Sequence, residues 1–203
     1  MHSPYKPPTP PVPDRYTAAC AVAVRRLLRA QPAEQAYAIV DTAVDDRLYG
    51  WLQLEPPRSE VTCLYDGDPA VRYARYAPYL MHLHEHSPLL RQWFERGWQQ
   101  HWGIWCTSAQ EPARLKRHFK RFLTLKHEGR LAYLRYYDPR VLMTLLPALN
   151  PGHLSDFFGA EVIGSYGACR PDGQLWVASA VRPSWLHQTF GAAKLVSALY
   201  PLR

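Results

Sequence analysis

Three histidines stand at alternate positions in the run His82-Leu83-His84-Glu85-His86. Alternate side chains of an extended strand share one face, so three imidazoles could converge there. Zinc takes such nitrogen donors and, when it has three, keeps a fourth position open for hydrolysis. Against this, the run meets a helix start at Ser87-Pro88, where the backbone changes direction, and no carboxylate-rich companion segment is evident. Adjacent ligands on one flat strand also have to bend toward a single ion. A solvated, His-rich strand end is the preferred reading, with no cofactor expected. A His-metal-dependent hydrolase and adventitious metal at His82, His84 and His86 stay open as alternatives.

A second candidate is Arg135-Tyr136-Tyr137-Asp138-Pro139-Arg140. Asp138 is placed to cap a helix that Pro139 opens, worth roughly 1 kcal/mol. A bidentate arginine–carboxylate pair locking that corner is the other reading, and both are structural. The third candidate is electrostatic. Seven basic residues lie between Arg114 and Arg130, with only Glu128 to oppose them. Such a face can meet phosphates or an acidic protein, and a basic nucleic-acid binder is therefore a further alternative. Base-stacking aromatics are not interleaved with these charges, which weighs against nucleic acid. The usual enzyme signatures are missing: there is no GxSxG, no GxxxxGK[ST] and no GxGxxG after a strand. The expectation is a protein that is not an enzyme.

These residues need a scaffold. A chain of 203 residues with 47% hydrophobic and 20% charged content is an ordinary globular composition. The formal charge of +7 is compatible with an acidic partner. The cysteines Cys20, Cys63, Cys106 and Cys169 are too far apart for a redox pair or zinc knuckle and read as reduced thiols. With neither a signal peptide nor a long apolar stretch in view, a soluble cytoplasmic protein is expected.

Residues 1–14 are expected to form a proline-rich, flexible leader. Helix is expected from Thr17 to Arg29, from Pro88 to about Gln100, from Glu111 to Phe122, from Asp138 toward Leu146, in a short segment ending at Phe158-Gly159, and from Ser184 to Leu199. Strands are expected at Tyr37–Asp41, Val61–Tyr65, Pro78–His84, Trp102–Cys106, Leu131–Tyr136, Glu161–Tyr166 and Gln174–Ala180, with a turn at Asp66-Gly67-Asp68-Pro69. Strands alternating with helices give an α/β (α+β) fold, a mixed β-sheet flanked by helices and closed by a short hairpin-plus-helix extension.

Five segments then follow in order: Leu64-Tyr65-Asp66-Gly67, Tyr76-Ala77-Pro78-Tyr79-Leu80, Gly103-Ile104-Trp105, Arg135-Tyr136-Tyr137-Asp138-Pro139-Arg140-Val141-Leu142 and Phe157-Phe158-Gly159. The set closely resembles the bacterial type VI secretion effector-chaperone (adaptor) family, over roughly Tyr37 to Gly167. The resemblance implies a core domain at 15–167 and an abbreviated second lobe at 168–203. It also implies a non-enzymatic cytoplasmic factor that binds a toxic effector and helps load it onto the valine-glycine-repeat spike protein. No catalytic residues carry over. The matching positions Pro78, Tyr79, Arg135, Tyr137, Asp138, Pro139 and Arg140 are expected to hold the fold. Interface anchors are rich in Trp, Tyr and Arg, so Tyr76, Tyr79, Trp93, Trp98, Arg117, Lys120 and Arg121 are the expected partner contacts, with Tyr73 and Trp102 as further aromatics.

Overall fold

The computed structural model describes residues 22–27, 30–84, 86–127, 129–181 and 194–201. The leader, Thr17, Arg29, Glu85, Glu128 and residues 184–193 of the expected C-terminal helix lie outside the described residues.

The run Tyr37–Asp41 has no solvent face to offer, and the fold gives it none. Strand β1 (Gln35–Asp41) is buried at every position from Ala36 onward. It lies inside a seven-stranded sheet ordered β2-β3-β1-β4-β7-β8-β9. The other strands are β2 (Thr62–Cys63), β3 (Pro78–His82), β4 (Gly103–Ser108), β7 (Ser165–Cys169), β8 (Gln174–Val181) and β9 (Lys194–Pro201). Strands β5 (Thr124–His127) and β6 (Arg130–Tyr133) form a separate two-stranded ribbon. The fold is α+β, as expected, and among the described residues every strand pairing is antiparallel.

Period-two alternation divides the core. On β1, Tyr37 and Ile39 join one cluster, while Ala36, Ala38 and Val40 join the other. The first cluster is closed by α5 (Pro112–Lys120), α6 (Pro139–Ala148) and α7 (Pro151–Phe158), through Leu115, Phe119, Leu142, Leu146 and Phe157. The second is closed by a helical stretch at 22–27 (α1), α2 (Asp46–Leu52) and α4 (Pro88–Gln92), through Val24, Leu48, Leu52, Leu89 and Leu90. Each such buried side chain contributes roughly 1.5–3 kcal/mol. An antiparallel sheet often leaves one face wet. Here helices cover both, which is why its strands read as apolar runs.

Local chemistry sets the boundaries. The Ser87 hydroxyl accepts the Leu90 amide at 3.0 Å, with Pro88 opening α4. After Gln92 the helix widens into a π-turn at Trp93–Gly97. That turn sets Trp93, Phe94 and Trp98 around Trp105, at centroid distances of 5.6, 5.8 and 5.3 Å. Gly103 opens β4 with φ +149°, and a Cβ there would lie 2.0 Å from the Ile39 carbonyl oxygen.

Four expectations change. The tail expected to be helical through Leu199 contains β9, whose eight residues pair in full register with β8. Strands β8 and β9 extend the main sheet, so residues after 167 share its core. The turn at Asp66–Pro69 is the start of helix α3 (Gly67–Arg72), since proline is tolerated in a first helical turn. The strand expected at Leu131–Tyr136 stops at Tyr133 and belongs to the ribbon.

Candidate partner-binding surface

The family-motif residues build a corner where β1 ends. Asp41 is fully buried and pairs with the half-exposed Arg135 guanidinium, whose Nε lies 3.2 Å from Oδ2. Burial pushes the Asp41 carboxyl up, and the arginine pulls it part of the way back. Asp138 caps α6 by accepting the Arg140 amide at 2.9 Å. Arg140 forks onto the same carboxylate at 3.0 and 2.6 Å. Burial opposes the Asp138 charge, but the Arg140 contacts outweigh it and hold that carboxyl below its usual range. Cap and bidentate pair therefore coexist on one aspartate, while Arg135 serves a different one. Pro78 opens β3 opposite Asp41, Pro139 is the first residue of α6, and the buried Tyr137 hydrogen-bonds to Tyr65.

Beside this corner, the stretch from Gly67 to Tyr76 comprises α3 and a 3-10 turn (Ala74–Tyr76), and neither contains a buried residue. It nevertheless has a defined place. At its start, Asp66 pairs with Lys116 at 2.7 Å and with Lys120, both on α5. At its end, the buried Tyr79 hydroxyl donates to the Ala74 carbonyl at 2.8 Å and Thr42 donates to that of Ala77 at 2.8 Å. The segment presents Val71 (81% exposed), Tyr73 and Tyr76 (62%), together with exposed Arg72 and Arg75. Arg114, Arg117 and Arg121 of the α5 region are also exposed, with Arg121 over the Phe122 ring at 5.4 Å.

The expected partner contacts thus separate. Tyr76, Tyr73, Arg117 and Arg121 lie on the surface. Lys120 is half-buried and committed to Asp66. Tyr79, Trp93 and Trp102 are corrections: all three are buried, because β3, the π-turn and the entry to β4 direct them into the second core cluster. Trp98 is half-buried against Trp105. Sequence reading missed Val71 and the ribbon's Leu125, Leu131 and Tyr133, since an apolar residue in a short helix or strand reads as core.

The histidine run does not gather around a point. The rings of His82, His84 and His86 follow one another at 6.0 Å between successive centroids. His84 Nε2 meets Ser59 Oγ at 2.7 Å, and its Nδ1 accepts the His86 amide at 3.0 Å, so both ring nitrogens are engaged. Ser59 donates onward to Glu55 at 2.7 Å, and that carboxylate also accepts Ser87 Oγ and the Leu89 amide at 2.9 and 2.8 Å. Burial pushes the Glu55 carboxyl up to about 6 despite these donors. Among the described residues, no group of three or more His, Cys, Asp or Glu is arranged to hold a metal. A groove of about 480 Å³ opens at the start of β1, at the opposite end from the Asp41 corner, lined by Glu34, Gln110, Phe158 and Glu161 among others and by none of the expected site residues.

The family model described as a domain of unknown function (DUF4123) matches residues 36–156. The chain belongs to that family. No curated protein and no solved structure matches it. The DUF4123 region runs from β1 into α7 and holds the Asp41–Arg135 corner, the Gly67–Tyr76 segment, α5 and the ribbon. Strands β7 to β9 lie beyond it, yet they complete the DUF4123 sheet. Among the described residues, no helix is long and apolar enough to cross a membrane.

Proposed function

We propose that this chain is a non-enzymatic, cytoplasmic adaptor that binds a type VI secretion effector and helps load it onto the valine-glycine-repeat spike protein. Family membership and the ordered motif set support this reading. The observation that carries it is the segment from Gly67 to Tyr76, an outward-facing apolar and cationic surface tethered at both ends. Aromatic anchors held in place bind without a large ordering cost, which suits recognition of a folded partner. Its neighbour α5 adds positive charge, which suits an acidic surface.

The test is co-expression with the effector encoded beside this chain, followed by size-exclusion chromatography with mass detection. A stable complex is expected at moderate salt, and Tyr73→Ser/Tyr76→Ser should weaken it at least about tenfold. Absence of any complex with effector or spike sinks the adaptor reading.

A further inference from the structure

The ribbon β5–β6 is an odd element for a protein with a well-filled core. All four residues of β6 are exposed, with Leu131 at 65% and Tyr133 at 67%, and Leu125 on β5 at 38%. Two strands alone are marginally stable in water. This pair is fastened at its base, where the Leu134 amide donates to the Leu123 carbonyl at 2.9 Å and the Tyr133 ring rests 6.2 Å from Tyr65.

That bond also fixes which backbone groups face outward. Antiparallel ladders alternate, so Leu125–Ala132 and His127–Arg130 are the inward, hydrogen-bonded pairs. The N–H and C=O groups of Leu131 and Tyr133 then point away from β5. Among the described residues, no backbone partner meets them. Side chains alternate as well. Leu131 and Tyr133 share one face of the ribbon, while Arg130 and Ala132 share the other. The exposed Arg130 stands on this edge strand itself, and the exposed Lys126 lies directly across from Leu131 on β5.

We infer that the outer edge of β6 accepts a third strand from an extended peptide segment in which apolar and acidic residues alternate. The apolar side chains would lie beside Leu131 and Tyr133, and the acidic ones beside Arg130. Main-chain bonds would supply affinity and the alternation would supply register, as in other strand-addition modes. Positive charge on this side selects an acidic occupant over a basic one. The inference deepens the adaptor reading and rests on it: the strand would come from the effector.

The probe is a short fluorescent peptide of alternating Glu and Val, titrated into the full chain by anisotropy. Saturable binding is expected, with amide exchange slowed at Leu131 and Tyr133. Methylating alternate peptide nitrogens removes backbone donors without changing side chains, and should cost about tenfold in affinity. Leu131→Pro should cost about the same, because it deletes an outward N–H and leaves the inner ladder intact. Arg130→Glu, which keeps the backbone whole, should also weaken binding. No saturable binding, equal binding of the N-methylated or a Lys-Val peptide, or binding of single-stranded DNA in its place overturns the inference. So does an effector complex that survives Leu131→Pro unweakened, a result that leaves the adaptor reading standing. An unmodified chain that binds the peptide but neither effector nor spike sinks the adaptor reading instead.

Discussion

Two sets of aromatic side chains in this chain met opposite fates. The indoles of Trp93, Trp102 and Trp105 are fully buried in one layer, with Trp98 half-buried among them. The phenols of Tyr73, Tyr76 and Tyr133 stand outside the core, on elements with no buried residues. Both groups come from the same unusual aromatic content, so composition announced an aromatic-rich protein without saying where the rings go. The difference lies in what each ring's element can lean against. The π-turn and β4 face a helix layer, whereas the Gly67–Tyr76 segment and the ribbon face solvent.

The comparison breaks most sharply under truncation. Trp105→Ala should cost about 3–5 kcal/mol in chemical denaturation, because it opens a cavity against three aromatic neighbours. Tyr76→Ser should stay within about 0.5 kcal/mol in the same experiment. Equal losses would mean that Tyr76 packs against something substantial.

Acid sharpens the contrast between the two layers beneath those surfaces. Glu55 holds the start of α4, on the tryptophan side, and its folded-state pKa of about 6 is raised from 4.5. A raised carboxyl stabilises the fold below its unfolded pKa, and that stabilisation is lost as pH rises through 6. His118, in the other layer, donates from Nε2 to the Phe157 carbonyl at 2.9 Å, and burial lowers its pKa. A lowered imidazole contributes stability above its unfolded value and loses it as pH falls. The two groups oppose each other. Glu55→Gln should remove the acid-side gain, so that between pH 7 and pH 4.5 the variant loses about 2 kcal/mol relative to the parent chain. Parallel pH profiles from thermal melts would contradict this.

The smallest effect belongs to Asp66→Ala. Its lysine partners are partly exposed, so stability should fall by less than about 1 kcal/mol. Amide exchange across residues 67–76 should nevertheless quicken, because the tether to α5 is gone. An unchanged exchange pattern would assign the order of this segment to Tyr79 and Thr42 alone.

Several features were legible beforehand. Pro88 after Ser87, and Pro139 after Asp138, announced α4 and α6, because capping is local chemistry. The apolar run at Tyr37–Asp41 announced a strand buried on both faces. Long-range choices were not legible. Nothing local tells Arg135 to reach Asp41 across 94 positions while Arg140 takes Asp138. Lys194–Pro201 is helix-compatible in composition, and only pairing with β8 makes it a strand. At the surface, Asp66-Gly67-Asp68-Pro69 carries turn residues that serve a helix start equally well. Val71 and Leu131 look like core residues until tertiary structure leaves their elements uncovered.

The stretch between Asp66 and Tyr79 is staked at both ends while nothing inside it from Gly67 to Tyr76 is buried. Its side chains can therefore be exchanged with little cost to the core, since surface substitutions move stability by only about 0.5 kcal/mol. On the adaptor reading proposed above, such an element would serve as an interchangeable address label on a fixed frame: sequence drift there would redirect the molecule to a new passenger while the sheet, its two helix layers and the arginine-locked corner stay as they are.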